Sequence, residues 1–250
     1  MDKFPNWADH IIACLFCFAI PIYAALKRKK GVVNSFFTSS EKKNIYISGS
    51  FSLFLMGMIV AIEWLFSKRP LAELGLTQPA NFNAWWWIAG GFIIIYAADA
   101  FTTVASKKGL ENAKDNWKKR TPFLPTKNSE LPEYVLLCFS AGVFEELIYR
   151  GFLVTYTWFL FDGVEYRELL AVVLPAFVFS VAHFYQGSKA VLKIFILSLF
   201  FGYLFILSGS LLVVMILHFL VDLVGGLLTI KYIWPREESV TPEVIGNDNG

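Results

Sequence analysis

The sequence predicts an all-α fold: a polytopic membrane helical bundle of about seven transmembrane helices. Three observations carry that expectation. Hydrophobic residues make up 56% of the 250 positions and charged residues only 17%, where soluble domains are about a quarter charged. The mean hydropathy is +0.54. The apolar residues also gather into runs near the ~20 residues that cross ~30 Å of hydrocarbon.

The runs fall at about 8–26, 44–66, 84–105, 134–161, 168–185, 190–208 and 210–231. The first is followed directly by "KRKK" rather than by a small-residue cleavage site, so it reads as a retained helix and not as a signal peptide. Its Cys14 and Cys17 read as small apolar residues rather than as a redox or metal pair. The third opens with Trp85, Trp86 and Trp87, the residue type of an interfacial aromatic belt. The fourth is long. The fifth and sixth are short, which is tolerated where a helix lines a cavity enclosed by protein.

The connecting segments differ in charge. Loop 27–43 holds Lys27, Arg28, Lys29, Lys30, Lys42 and Lys43, and loop 106–133 is also strongly basic. Loop 67–83 has only Lys68 and Arg69 as cations. Positive charge favours the cytoplasmic side. The expected orientation is therefore N-terminus outside and C-terminus cytoplasmic, with a transmembrane domain over 1–232 and a polar, mobile tail over 233–250. Neither an internal repeat nor a glycine-rich phosphate loop is visible, and no nucleic-acid partner is expected.

Ionisable residues inside the apolar runs are the functional signal, because each costs about 2.5–3.5 kcal/mol to insert. Glu145, Glu146, Arg150, His183, His218 and Asp222 lie in the fourth, fifth and seventh runs. Glu146 and Arg150 are four apart and share a helix face, where they can pair. Glu145 points about 100° away, with no cation near it on its own face. A carboxylate so placed can take a proton from water. His218 and Asp222 repeat the spacing of four, as do Phe179 and His183. Glu63, Asp99 and Lys193 are read as isolated, either snorkelling or hydrogen-bonded between helices.

At "EELIYR" (145–150), "FSVAH" (179–183) and "HFLVD" (218–222), in that order, the chain resembles the CPBP family of intramembrane endopeptidases. That family includes CAAX prenyl proteases and bacteriocin-processing or "abortive infection" proteins. The resemblance covers about 133–228, with a weaker likeness at "LAELGLTQP" (71–79). It implies a protease that hydrolyses a peptide bond in or near the membrane with a glutamate-activated water. Glu145 would be the general base, His183 would share the proton work, and His218 and Asp222 would stabilise the oxyanion. Glu146 and Arg150 would hold the helix and tune Glu145. Many members have Asn where this chain has Asp222, so that role departs from the pattern.

A metal-free mechanism without cofactor is favoured. Zinc held by Glu145, His183, His218 and Asp222 is the alternative. The implied partners are the lipid bilayer and a peptide or membrane-protein substrate, such as a prenylated C-terminus or a bacteriocin leader. The implied location is a bacterial inner membrane. The alternative function is a non-catalytic immunity or scaffold protein of the same fold, binding a peptide or a partner helix. One difficulty is plain. Counted from the cytoplasmic ends of their runs, Glu145 lies ~17 Å deep and His183 lies near the surface.

Overall fold

The computed structural model describes residues 4–28, 37–81 and 84–233, and the regular structure among them is helical throughout. The tail after Ile233, like Lys29 and Lys30, lies outside the described residues. All seven apolar runs form helices. Four helices are long and apolar enough to cross a membrane: Ser39–Phe66, Ala84–Ala105, Ser188–Ser208 and Leu211–Tyr232. Their length and apolarity fit a polytopic membrane bundle.

Helix α1 covers 7–28. Asn6 caps it, accepting from the N–H groups of Ala8 and Asp9, while Asp9 accepts from the Asn6 N–H. Its turn at Leu15–Ala19 is a wider π turn. Pro21, two residues after Ala19, has no N–H to give to the preceding turn, so the helix widens there rather than breaking. Helix α2 is Ser39–Phe66, capped by Thr38. Helix α3 is Ala84–Ala105.

The expected loop 106–133 is not all loop. Ser106 caps a helix, α4, at Lys107–Arg120. Ala113 is buried on it, with Leu110 and Trp117 half-buried at helical spacing, and its other face is basic. That alternation is too polar to register as an apolar run, yet it is amphipathic.

Helix α5 runs unbroken over 131–160, with π turns at Ala141–Glu145 and Leu147–Val154. Every residue from Leu147 to Val154 is buried. This is the central helix, packed against α2 on one side and against α6 (Arg167–Ala182), α7 (Ser188–Ser208) and α8 (211–233) on the others. Helix α3 is peripheral. Trp85, Ala89, Phe92 and Tyr96 make one stripe along it, through which it meets α7 and α8. Of the three tryptophans, Trp85 turns inward at 4% exposure, while Trp86 and Trp87 are exposed.

The "LAELGLTQP" stretch is a plug rather than a linker. Leu71–Leu74 forms a short 3-10 turn, and Leu74 is fully buried against the Leu147–Val154 segment. The Gly75 carbonyl accepts from the Leu211 N–H at 2.8 Å, and the Thr77 carbonyl accepts from the Ser210 hydroxyl at 2.6 Å. The Ala80 N–H donates to the Ser208 carbonyl at 2.8 Å. Gly75 has φ +80, and a Cβ there would run into Phe205, so both conformation and space call for glycine. These bonds hold the α7–α8 turn inside the protein, with Ser208 and Ser210 fully buried.

The charges read as isolated have partners. Glu63 joins a buried cluster in which Arg69 pairs with Asp9 at 2.8 Å and with Glu63 at 3.2 Å. This ties the start of α1 to the end of α2. Asp99 and Lys193 face each other at 3.9 Å, both exposed. Asp9 and Arg69 are 60 residues apart, and Asp99 and Lys193 lie on different helices, so sequence spacing reports neither pairing.

Candidate active site

One hairpin sets the depth of the site. The stretches 145–160 and 167–183 are of nearly equal length and flank the turn at 161–166. Glu145 and His183 therefore lie level when counted from that shared turn. The apparent mismatch came from assuming that both runs begin at the same surface. Helix α6 is only 16 residues long, or ~24 Å, so it stops inside the protein. His183 stands at its end, just before the short turn Phe184–Gln186 and Gly187.

Glu146 is the buried hub. It has no exposure, and its Oε1 accepts from Arg150 Nη1 at 2.8 Å and from His218 Nδ1 at 2.6 Å. Its Oε2 makes no hydrogen bond. Arg150 also donates to the Ser198 hydroxyl at 2.9 Å, and its guanidinium lies over the Phe179 ring at 4.8 Å. Sequence spacing found the Glu146–Arg150 pair. It did not find that Glu146 holds His218, nor that Ser198 completes the arginine's shell. A serine inside an apolar run was the available signal for the latter.

Glu145 and Glu146 straddle one imidazole. Glu146 takes the Nδ1 side, and Glu145 Oε2 lies 3.7 Å from Nε2. Asp222 Oδ2 approaches the same Nε2 at 3.5 Å. A carboxylate can only accept, so His218 carries a proton on Nδ1. Both separations exceed a normal hydrogen bond, so neither carboxylate occupies Nε2.

The Nδ1 of His183 lies 2.9 Å from the Phe179 carbonyl. A carbonyl oxygen only accepts, so Nδ1 carries a hydrogen. Phe179 sits between the two histidines, with ring centroids 4.6 Å from His183 and 6.3 Å from His218. The tyrosines Tyr96 and Tyr134 donate to the backbone carbonyls of Val221 and Asp222, each at 2.9 Å, and so fix the turn that bears Asp222.

The structure thus brings together Glu145, Glu146, Arg150, Phe179, His183, His218 and Asp222. Carboxylates and imidazoles gathered in this way can shuttle a proton and neutralise a developing negative charge. Among the described residues, no three His, Cys, Asp or Glu side chains are arranged to hold a metal ion. Cys14, Cys17 and Cys138 are free thiols.

Residues 127–224 match the family model described as "Type II CAAX prenyl endopeptidase Rce1-like". The family resemblance carried by the three motifs is therefore shown over the segment that builds the site. That match supports a protease or hydrolase acting on peptides or proteins in a membrane setting. No curated protein matches the chain. No solved structure matches it either.

Proposed function

We propose that the chain is a metal-free intramembrane endopeptidase in which Glu145 is the general base. The supporting observation is the convergence of Glu145, His218 and Asp222 around one imidazole nitrogen, with separations of 3.7 and 3.5 Å. Glu145 retains 16% side-chain exposure and Asp222 38%, whereas Glu146 has none. The outer carboxylates are those a substrate or a water can reach.

In the reaction, the water oxygen attacks the scissile carbonyl carbon while its proton passes to Glu145, assisted by the free Nε2 of His183. The carbonyl oxygen becomes an oxyanion beside Nε2 of His218, which donates to it when the ring carries a proton on both nitrogens. A preorganised donor of this kind in a water-poor site contributes about 3–4 kcal/mol. The C–N bond then breaks, and the proton returns from Glu145 or His183 to the leaving amine. Glu146 does not touch the reacting atoms. It positions His218 and balances its charge, with Arg150 as its own counter-ion.

The orientation that fits the basic loops places the N-terminus outside and the site mouth toward the cytoplasm, in a bacterial inner membrane. Prenylated C-termini, bacteriocin leaders and membrane-protein segments are the substrate classes the family suggests. The test is a comparison of protein termini in membranes carrying the wild-type chain or Glu145→Gln at equal abundance. New termini that require Glu145 support the peptidase. Identical termini, with the cellular phenotype retained in the variant, favour the non-catalytic binding protein.

A further inference from the structure

The site is rich in acceptors and poor in donors. Nε2 of His218 faces Glu145 at 3.7 Å and Asp222 at 3.5 Å, and neither side chain carries an N–H. The donors around them already have partners. Arg150 gives Nη1 to Glu146 and Nη2 to Ser198, and is buried. His183 gives Nδ1 to the Phe179 carbonyl. The hydroxyls of Tyr96 and Tyr134 donate to the carbonyls of Val221 and Asp222.

Tyr185 differs. It stands two residues after His183, on the turn Phe184–Gln186, and is 39% exposed. Its hydroxyl accepts from Gln186 Nε2 at 3.1 Å, which leaves its own hydrogen unengaged. Its ring lies 6.0 Å from that of His183, tilted by 30°. The charged groups that act on the hydroxyl are Glu145 and Asp222, the two carboxyls that also flank Nε2 of His218. The phenol and that nitrogen therefore border one space at the mouth. The turn is braced, since it packs on the Ile20–Arg28 half of α1 as well as on α6 and α7. A donor held in this way is preorganised. Tyr149 is the other tyrosine close to Glu145. It is 5% exposed, with its ring edge against Phe179 at 4.7 Å and Cys17 of α1 nearby, so it belongs to the wall rather than to the mouth.

Resting on the peptidase reading, we propose that Tyr185 is a further catalytic residue, whose hydroxyl donates to the oxyanion formed at the scissile carbonyl. The phenol keeps its proton throughout. Its hydrogen bond strengthens as water adds to the carbonyl carbon and negative charge gathers on the oxygen. It relaxes when the C–N bond breaks and the carbonyl re-forms. A phenol holds its proton at neutral pH, so this donor acts whether His218 carries one proton or two.

The test uses the full-length protein in liposomes and the best-cut member of a pool of membrane-tethered peptides. Tyr185→Phe keeps the ring and removes only the hydroxyl. It should lower kcat by about a hundredfold, with thermal unfolding unchanged and KM within about threefold of the wild type. Tyr149→Phe should lose less than about threefold in kcat. A phosphinic peptide, whose tetrahedral centre mimics the oxyanion, should bind Tyr185→Phe about a hundredfold more weakly than the wild type. The uncleaved peptide should bind Glu145→Gln and Glu145→Gln/Tyr185→Phe alike.

A wild-type kcat in Tyr185→Phe overturns the proposal, as does a loss confined to KM or one carried by Tyr149→Phe instead. Those results leave the peptidase reading intact. A wild type that neither cuts nor prefers the phosphinic peptide to its amide removes the peptidase reading, and the donor with it. A preference for the phosphinic peptide that disappears in Tyr185→Phe supports the donor even where no peptide of the pool is cut.

Discussion

Glu146 shows why a pair of adjacent glutamates is needed in one helix. A buried carboxylate shared by Arg150 and His218 fixes the imidazole's orientation. Removing one partner of such a pair costs about 3–5 kcal/mol, since the other charge is left buried and alone. Glu146→Gln should therefore lower thermal stability and reduce turnover by roughly a hundredfold, although it touches no reacting atom. Because Glu146 acts through His218, the double variant Glu146→Gln/His218→Gln should be little slower than His218→Gln alone. Additive losses in a kinetic double-mutant cycle would mean that Glu146 works independently. The spacing of four made the Glu146–Arg150 pair legible in the sequence. The tie between Glu146 and His218 was not, because 72 residues separate them and no local periodicity reports it.

Among the elements, α5 and α8 must approach closely for Glu145 and His218 to meet. Gly142 permits it. A Cβ there would stand 2.9 Å from the Met215 carbonyl oxygen and 3.1 Å from the Phe219 nitrogen, both backbone atoms that cannot swing away. Gly142→Ala should force the helices apart, cost about 1–3 kcal/mol of stability, and reduce activity more than a lipid-facing Gly→Ala change. Thermal unfolding in detergent and peptide cleavage would show this, with Gly90→Ala as the comparison, since nothing lies within 4 Å of its added Cβ. Equal behaviour of the two variants would remove the close approach as a requirement. The helices themselves were legible as apolar runs. The π turns in α5 were not, nor was the depth of the α7–α8 turn. Both follow from tertiary contacts, the latter through Gly75 and Thr77.

For the whole molecule, the far end of the bundle is fastened by charge. Lys42 is 3% exposed and Glu130 1%, and they pair at 3.4 Å. Burial pushes the Glu130 carboxyl up. The Ser39 hydroxyl, the Thr126 N–H and Lys42 outweigh it, so the group is held below its ordinary 4.5. A carboxyl lowered on folding adds stability that is present above its unfolded value and lost as pH falls through the folded one. The protein should lose stability as pH drops below about 4.5, and Glu130→Gln should flatten that part of the profile. An unchanged acid limb in thermal unfolding would show that this pair does not fasten α2 to the start of α5. The all-α membrane architecture was legible from composition and run length alone. Amphipathic α4 and the Asp9–Arg69–Glu63 cluster were not, because α4 carries no apolar run and the cluster joins helices through residues remote in sequence.

Cleavage of a membrane-tethered peptide pool by the purified chain in liposomes, with a strong metal chelator present throughout, bears most directly on the role of Glu145. If that carboxylate activates the water, the wild type cuts and Glu145→Gln is slower by about a thousandfold or more, ~4 kcal/mol, at equal folding and equal peptide binding. Cutting by Glu145→Gln at the wild-type rate, or loss of wild-type cutting on chelation, would contradict it.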